Sequence, residues 1–163
     1  MGVAGSGKST VAAGIGRELG LEVIEGDDHH PRANIEMMAA GVPLTDDDRR
    51  PWLQELAELV GARHAAGIGT ALACSALRRS YRDILRSTTP DDESFVIQLD
   101  ADGETLRARM AARSGHFMPV SLLESQLATL EPLQPDERGE IVDVTPPNEV
   151  VIVGAVDAIR HRA

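Results

Sequence analysis

The run Gly2-Val3-Ala4-Gly5-Ser6-Gly7-Lys8-Ser9 fits the spacing G-x-x-x-x-G-K-[ST], with Thr10 behind it. Glycines at these places let backbone N–H groups converge on phosphate oxygens without a Cβ in the way. A helix starting near Lys8 aims its positive end at the same anion. The expected chemistry is binding of the phosphates of ATP, with Lys8 reaching the β- and γ-phosphates and the Ser9 hydroxyl on magnesium. Average composition produces the full pattern in on the order of one chain in a hundred of this length, so its presence is informative. The candidate nucleotide-binding set is therefore Gly2, Val3, Ala4, Gly5, Ser6, Gly7, Lys8, Ser9 and Thr10.

Three further clusters carry chemistry. Glu25-Gly26-Asp27-Asp28-His29-His30-Pro31 follows a short apolar run, and acidic groups at the end of a strand lie where open α/β sheets bind ligands. Asp27 is placed to orient an attacking hydroxyl or accept its proton, and Glu25 to hold magnesium through water. The competing reading is a polar turn that caps a helix. Adjacent histidines alone make a poor metal site, since three or four converging ligands are needed. Arg78, Arg79, Arg82 and Arg86 form a local basic patch suited to a carboxylate or phosphate, or else to solvating a helix face. Arg109, Arg113 and the interruption at 114–119 suggest a segment that closes over a transferring phosphate.

Alternation of apolar β-type runs with helical periodicity predicts βα units and a mainly parallel sheet. Strands are expected at 21–25, 70–74, 94–99 and 141–144. Helices are expected at 8–19, 31–40, 77–87, about 103–112, 121–130 and 148–161. Gly20 is a natural stop for the first of these, and Thr45 a natural N-cap for another running to about Ala66, with Pro51 restarting it. The acidic turn 90–93 reads as a solvated loop. A phosphate loop normally leaves the end of a buried central strand, yet here Met1 to Val3 supply only a stub. The expectation is a first strand largely missing from the sheet, with a reading frame that starts upstream.

At 163 residues the chain fits one domain. Its one cysteine, Cys74, makes no internal disulfide and reads as a small buried residue in a reducing, cytoplasmic setting. No run is long and apolar enough for a bilayer, so no membrane partner is expected. A formal charge of −10 argues against nucleic-acid binding and requires any anion site to be locally basic.

The later blocks resemble the bacterial gluconokinases. The resemblance is carried by the phosphate loop, by Gly26-Asp27-Asp28-His29-His30-Pro31, by Asn34-Ile35 to Met38, and by Val42-Pro43-Leu44-Thr45-Asp46-Asp47-Asp48-Arg49 with Pro51-Trp52-Leu53. Cys74-Ser75-Ala76-Leu77, Tyr81-Arg82-Asp83 and Gly115-His116-Phe117-Met118 complete it, so it spans the chain from Gly2 to about Val144. His29 departs from it, since a family member would often have Leu there.

The resemblance implies ATP-dependent phosphorylation of D-gluconate at its terminal hydroxyl. It also implies a nucleoside-monophosphate-kinase-like three-layer α/β fold with a five-stranded parallel sheet. One domain, 1–163, would carry a lid at about 113–130, and the protein would be a cytoplasmic homodimer. Lys8, Asp27 and Arg113 are the catalytic candidates. Asp27, His30, Asn34, Arg49, Ser75, Arg78, Arg82 and His116 are the substrate candidates, with Ser9 and Glu25 for the metal. A sugar acid needs a cation for its carboxylate, from the patch at Arg78 to Arg82 or from Arg49, and polar partners for its hydroxyls. The alternatives are another small-molecule kinase, acting on shikimate or a nucleotide, and a nucleotide-binding switch. Asp100-Ala101-Asp102-Gly103 fits the short D-x-x-G pattern of such switches, but the guanine-reading N-K-x-D is absent.

Overall fold

A computed structural model describes residues 1–112 and 120–162. The phosphate loop leads into α1 (Lys8–Leu19), which Gly20 ends in a left-handed conformation with its N–H on Gly16 O. β1 (Glu22–Glu25) and a one-turn 3₁₀ helix (Gly26–His29) follow, then α2 (Arg32–Ala39) and α3 (Asp46–Ala65). β2 (Thr70–Ala73), α4 (Arg79–Arg86), a short 3₁₀ turn at Asp91–Glu93 and β3 (Val96–Asp100) come next. The chain ends in α5 (Gly103–Ala112), α6 (Val120–Thr129), β4 (Gly139–Asp143) and α7 (Asn148–Arg162).

All strand pairing is parallel, β1 with β2 and β3 with β4. Met1 and Gly2 stand between the two pairs. Leu99 N–H reaches Met1 O at 2.9 Å, Gly2 N–H reaches Ser75 O at 3.1 Å, and the Met1 amino group bonds Ile97 O. Among the described residues there are thus four strands and a two-residue bridge rather than five full strands. Two residues satisfy only the phosphate-loop end of the facing edges, and a space of about 420 Å³ separates the rest of β2 and β3.

Helices cover both faces, as a parallel sheet requires. One core layer joins Val11 and Ile15 of α1 to Ile97 and Leu99 of β3 and to Val151, Ala155 and Val156 of α7. The opposite layer joins Ile24 to Trp52, Leu53 and Leu56 of α3 and to Tyr81 of α4. A third cluster, Val3, Leu77, Leu106 and Leu123, packs the phosphate loop against α5 and α6.

Pro51 does not restart α3; it lies inside one continuous helix. Its missing N–H costs one backbone bond, offset by burial of Trp52, Leu53 and Leu56 along the same face. The start of α3 is secured by a capping box, in which Thr45 Oγ1 accepts from Asp48 N–H at 3.2 Å and Asp48 Oδ2 from Thr45 N–H at 2.8 Å.

The basic patch on α4 has a structural use. Arg82 is 1% exposed and donates twice to Glu137, from Nε and from Nη2, each at 2.6 Å. Its Nη1 reaches Glu131 O at 3.1 Å, Arg79 makes two bonds of 2.8 Å to Asp136, and Arg86 adds a contact to Glu137. Together they clamp the segment after α6 onto α4.

Glu137→Gln removes one partner of this buried pair, which is expected to lower unfolding stability by about 3–5 kcal/mol at pH 7. The Arg82 hydrogen bonds hold the Glu137 carboxyl below its ordinary value. That stabilisation is full above the unfolded carboxyl pKa and is lost as pH falls through the lower folded value. Urea titrations at neutral and acid pH should show the gap between wild type and variant narrowing in acid. An unchanged gap would remove the ion pair as its source.

Candidate active site

The phosphate loop shapes one wall of a cleft of about 320 Å³. Gly5 and Gly7 both hold positive φ, +81° and +87°. A Cβ on Gly5 would stand 3.1 Å from Met110 Cγ and 3.2 Å from Leu106 O, so both the conformation and the close packing on α5 require glycine there. Gly7 is the residue from which α1 starts, and it turns the helix N-terminus toward the cleft. Lys8 Nζ donates to Val3 O at 3.1 Å, folded over the loop.

Ala4, Gly5, Gly7, Lys8 and Ser9 line the cleft; Gly2, Val3, Ser6 and Thr10 do not. Val3 and Ser6 are buried beneath it. Val3 therefore acts as an apolar anchor that carries a carbonyl for Lys8.

Glu25, at the end of β1, brings Oε2 within 2.9 Å of Ser9 Oγ. A hydroxyl beside a carboxylate is the hard oxygen donor set that suits magnesium, which takes one or two protein oxygens and completes its shell with phosphates and water. Among the described residues no group of three or more His, Cys, Asp or Glu is placed to cage a metal. The residues present fit a magnesium shared with a nucleotide. They do not fit a protein-only metal centre.

Asp27 follows on the one-turn 3₁₀ helix and lines the same cleft, together with His30, Arg49, Trp52 and Ser75. The adjacent histidines diverge: His29 pairs with Glu55 at 3.2 Å, while His30 stacks on Trp52 with centroids 3.9 Å apart. Burial lowers the His30 pKa despite the nearby Asp27, so the ring is neutral at pH 7. Trp52 is itself fixed by an indole N–H bond of 2.8 Å to Gly26 O. Ile35, Met38 and Leu44 form an apolar wall.

Three substrate candidates, Arg82, Arg78 and Asn34, and the closing-segment candidate Arg109 are engaged elsewhere. Arg82 is buried and paired with Glu137, away from the cleft lining, and Arg78 is off the cleft and bonded to Asp46 at 2.7 Å. Asn34 is buried, and its amide donates to Asp48 O at 2.8 Å, bracing α2 on α3. Arg109 donates to Val144 O at 2.5 Å and does not line the cleft. Arg49 alone of the candidate arginines within the described residues lines it. Arg113 and His116 lie outside the described residues. Cys74 is buried, which pushes its thiol up to about 11 and makes it a poor nucleophile. Asp102, from the D-x-x-G pattern, accepts from Thr105 N–H at 2.8 Å as a helix cap, a local use that explains the pattern without a switch.

Two cleft residues were not among the candidate site residues. Trp52 reads from periodicity only as core, yet it holds His30 in place. Gln126 of α6 lines the cleft, and its Oε1 accepts from Ala4 N–H at 2.6 Å. It links α6 directly to the phosphate loop. A glutamine on an amphipathic helix announces nothing of the kind.

A family model for the AAA domain matches residues 1–133. The chain is 42% identical over 161 residues to the thermoresistant gluconokinase of Escherichia coli K12, covering 98% of this chain and 91% of that one. A sugar kinase from Janibacter sp. HTCC2649 superposes with a TM-score of 0.94 at 50% identity, covering 98% of this chain and 91% of its own. A gluconokinase from Sinorhizobium meliloti 1021 gives 0.86 at 42% identity, covering 98% and 89%.

Gln126→Glu keeps an acceptor for Ala4 N–H while bringing a negative charge to the phosphate loop. Calorimetric titration is expected to show ATP binding weakened about tenfold, roughly 1.4 kcal/mol, with ADP affected less because its phosphates end short of the γ position. Equal weakening of both nucleotides would place Gln126 away from the γ-phosphate.

Proposed function

The chain belongs to the gluconokinase family of P-loop kinases, and on that premise we propose that it transfers the γ-phosphoryl group of ATP to the terminal hydroxyl of D-gluconate, giving 6-phospho-D-gluconate and ADP. The observation that carries this reading is one cleft holding a phosphate loop, the carboxylate Asp27 and the cation Arg49 together. Those are the three recognition elements that ATP, a sugar hydroxyl and a sugar-acid carboxylate demand.

In this proposal Lys8 turns from Val3 O to the β- and γ-phosphates, while loop N–H groups and the α1 N-terminus hold the remaining oxygens. Ser9 and Glu25 hold magnesium, which when bound neutralises phosphate charge. Asp27 orients the attacking hydroxyl and takes its proton. His30 and Ser75 meet other hydroxyls, and Arg49 the carboxylate. Arg113 and His116 close from the lid at 113–130, as the resemblance implies. Such transfer depends on positioning and charge stabilisation more than on covalent help from the protein, and the cleft supplies both.

A cytoplasmic homodimer completes the proposal. Exposed apolar side chains on the outer strand and adjoining helix, Ile141 at 46%, Val150 at 57% and Val153 at 60%, support a dimer face. No described helix is long and apolar enough to cross a membrane.

ADP release from ATP and magnesium should rise with D-gluconate and not with shikimate or nucleoside monophosphates; stimulation by one of the latter instead would reassign the acceptor. Asp27→Asn is expected to lower kcat at least about 100-fold while ATP affinity stays within roughly threefold, because Asp27 serves the acceptor. Parallel losses in both would place Asp27 in nucleotide binding or folding.

A further inference from the structure

Arg49 reaches the cleft from the first turns of α3 with its side chain 16% exposed. Behind it lies a short chain of polar groups. Arg49 Nη1 donates to Tyr81 Oη at 3.3 Å, and the Tyr81 hydroxyl donates to Asp46 Oδ1 at 2.5 Å. The direction of this chain is forced: a guanidinium accepts nothing, an ionised carboxylate donates nothing, and a phenol has a single proton to give. Asp46 in turn is held by Arg78, whose Nη1 lies 2.7 Å from Oδ2. Tyr81, on α4, is only 4% exposed and packs in one cluster with Trp52, Leu53 and Leu56 of α3, so its hydroxyl is a fixed point.

The charges do not cancel. Arg49 and Arg78 share one carboxylate, and Asp46 stands 3.9 Å from Arg49 Nη1, beyond hydrogen-bond range, while it bonds Arg78 and Tyr81 closely. Among the described residues no carboxylate thus lies within hydrogen-bond distance of Arg49, which faces the cleft in a chain whose formal charge is −10. One Nη1 N–H is committed to Tyr81; the remaining donors of the planar fork suit a carboxylate taken through two parallel bonds.

We propose that Tyr81, held by Asp46, is a positioning residue that sets the plane of Arg49 and so makes the site select an aldonic acid over the neutral polyol of the same length. This rests on the gluconate reading and names the group within that site that decides acid against alcohol. Arg49 touches the substrate. Tyr81 and Asp46 act through it.

The test compares equilibrium binding and turnover of D-gluconate and of D-glucitol, which has the same six carbons and no carboxylate, in wild type and in Tyr81→Phe. The phenylalanine keeps the ring and its packing and removes only the hydroxyl. The expected result is a five- to tenfold rise in Kd and KM for gluconate, glucitol binding unmoved, KM for ATP unmoved, and thus a matching fall in the acid-to-polyol preference. Arg49→Lys, at the cleft rim, reads the same ratio without disturbing the core and should reduce it further. Preference unchanged in Tyr81→Phe overturns the inference, whatever Arg49→Lys does, while leaving gluconate phosphorylation standing. Losses shared equally by gluconate, glucitol and ATP also overturn it, since they mark a structural role. A wild type that binds gluconate no better than glucitol overturns both readings.

Discussion

The buried pair of Arg82 and Glu137 is the interaction on which the working geometry depends. Both side chains are enclosed, at 1% and 0% exposure, and each satisfies the other through two short bonds. A lone charge in that position would be strongly unfavourable, so neither residue can leave without the other. Their pairing fixes the segment after α6 against α4, and Gln98 adds to it by accepting Leu133 N–H at 2.7 Å. With its C-terminal end held this way, α6 places Gln126 on Ala4 of the phosphate loop. The pair sits outside the cleft and never meets a ligand, yet it locates the helix that forms the far wall.

Most of the fold was legible in the sequence because its signals are local. The span 8–19 of the first helix follows from the phosphate-loop spacing and from Gly20, and the Thr45 cap follows from three acidic residues behind a threonine. Pro51 misled because a proline suggests a helix start, while the deciding term is tertiary: Trp52 and Leu53 are buried only if the helix continues. The 3₁₀ turn that presents Asp27 was also invisible, since Gly-Asp-Asp-His is equally a loop sequence.

The site was legible in part, and the division has a physical cause. The phosphate loop, Glu25 and Asp27 sit at sequence-local turns, so type and spacing reveal them. The arginines do not reveal their partners. Arg78, Arg79 and Arg82 look equivalent in the sequence, yet Arg82 meets an acid 55 residues away, Arg79 one 57 residues away, and Arg78 one 32 residues away. Those partners belong to two different segments, and no periodicity connects them. Arg49 stays available at the cleft because Asp46, its neighbour one turn earlier, is engaged by Arg78 and Tyr81.

This distribution also answers how an acidic chain accommodates anionic ligands. A uniformly negative surface repels them at long range, and screening limits that repulsion to about 8 Å at physiological ionic strength. Within that distance the cleft counters it from two sides, with Lys8 and the α1 N-terminus at the phosphate end and Arg49 at the other. Asp27 lines the same cleft. Arg49 lines the cleft and Arg78 does not, so the same charge on Arg78 alone would leave the net charge unchanged and take the attraction out of the cleft. The placement of single charges by specific hydrogen bonds, rather than the overall composition, is therefore what allows a carboxylate and a polyphosphate to approach one another in this protein.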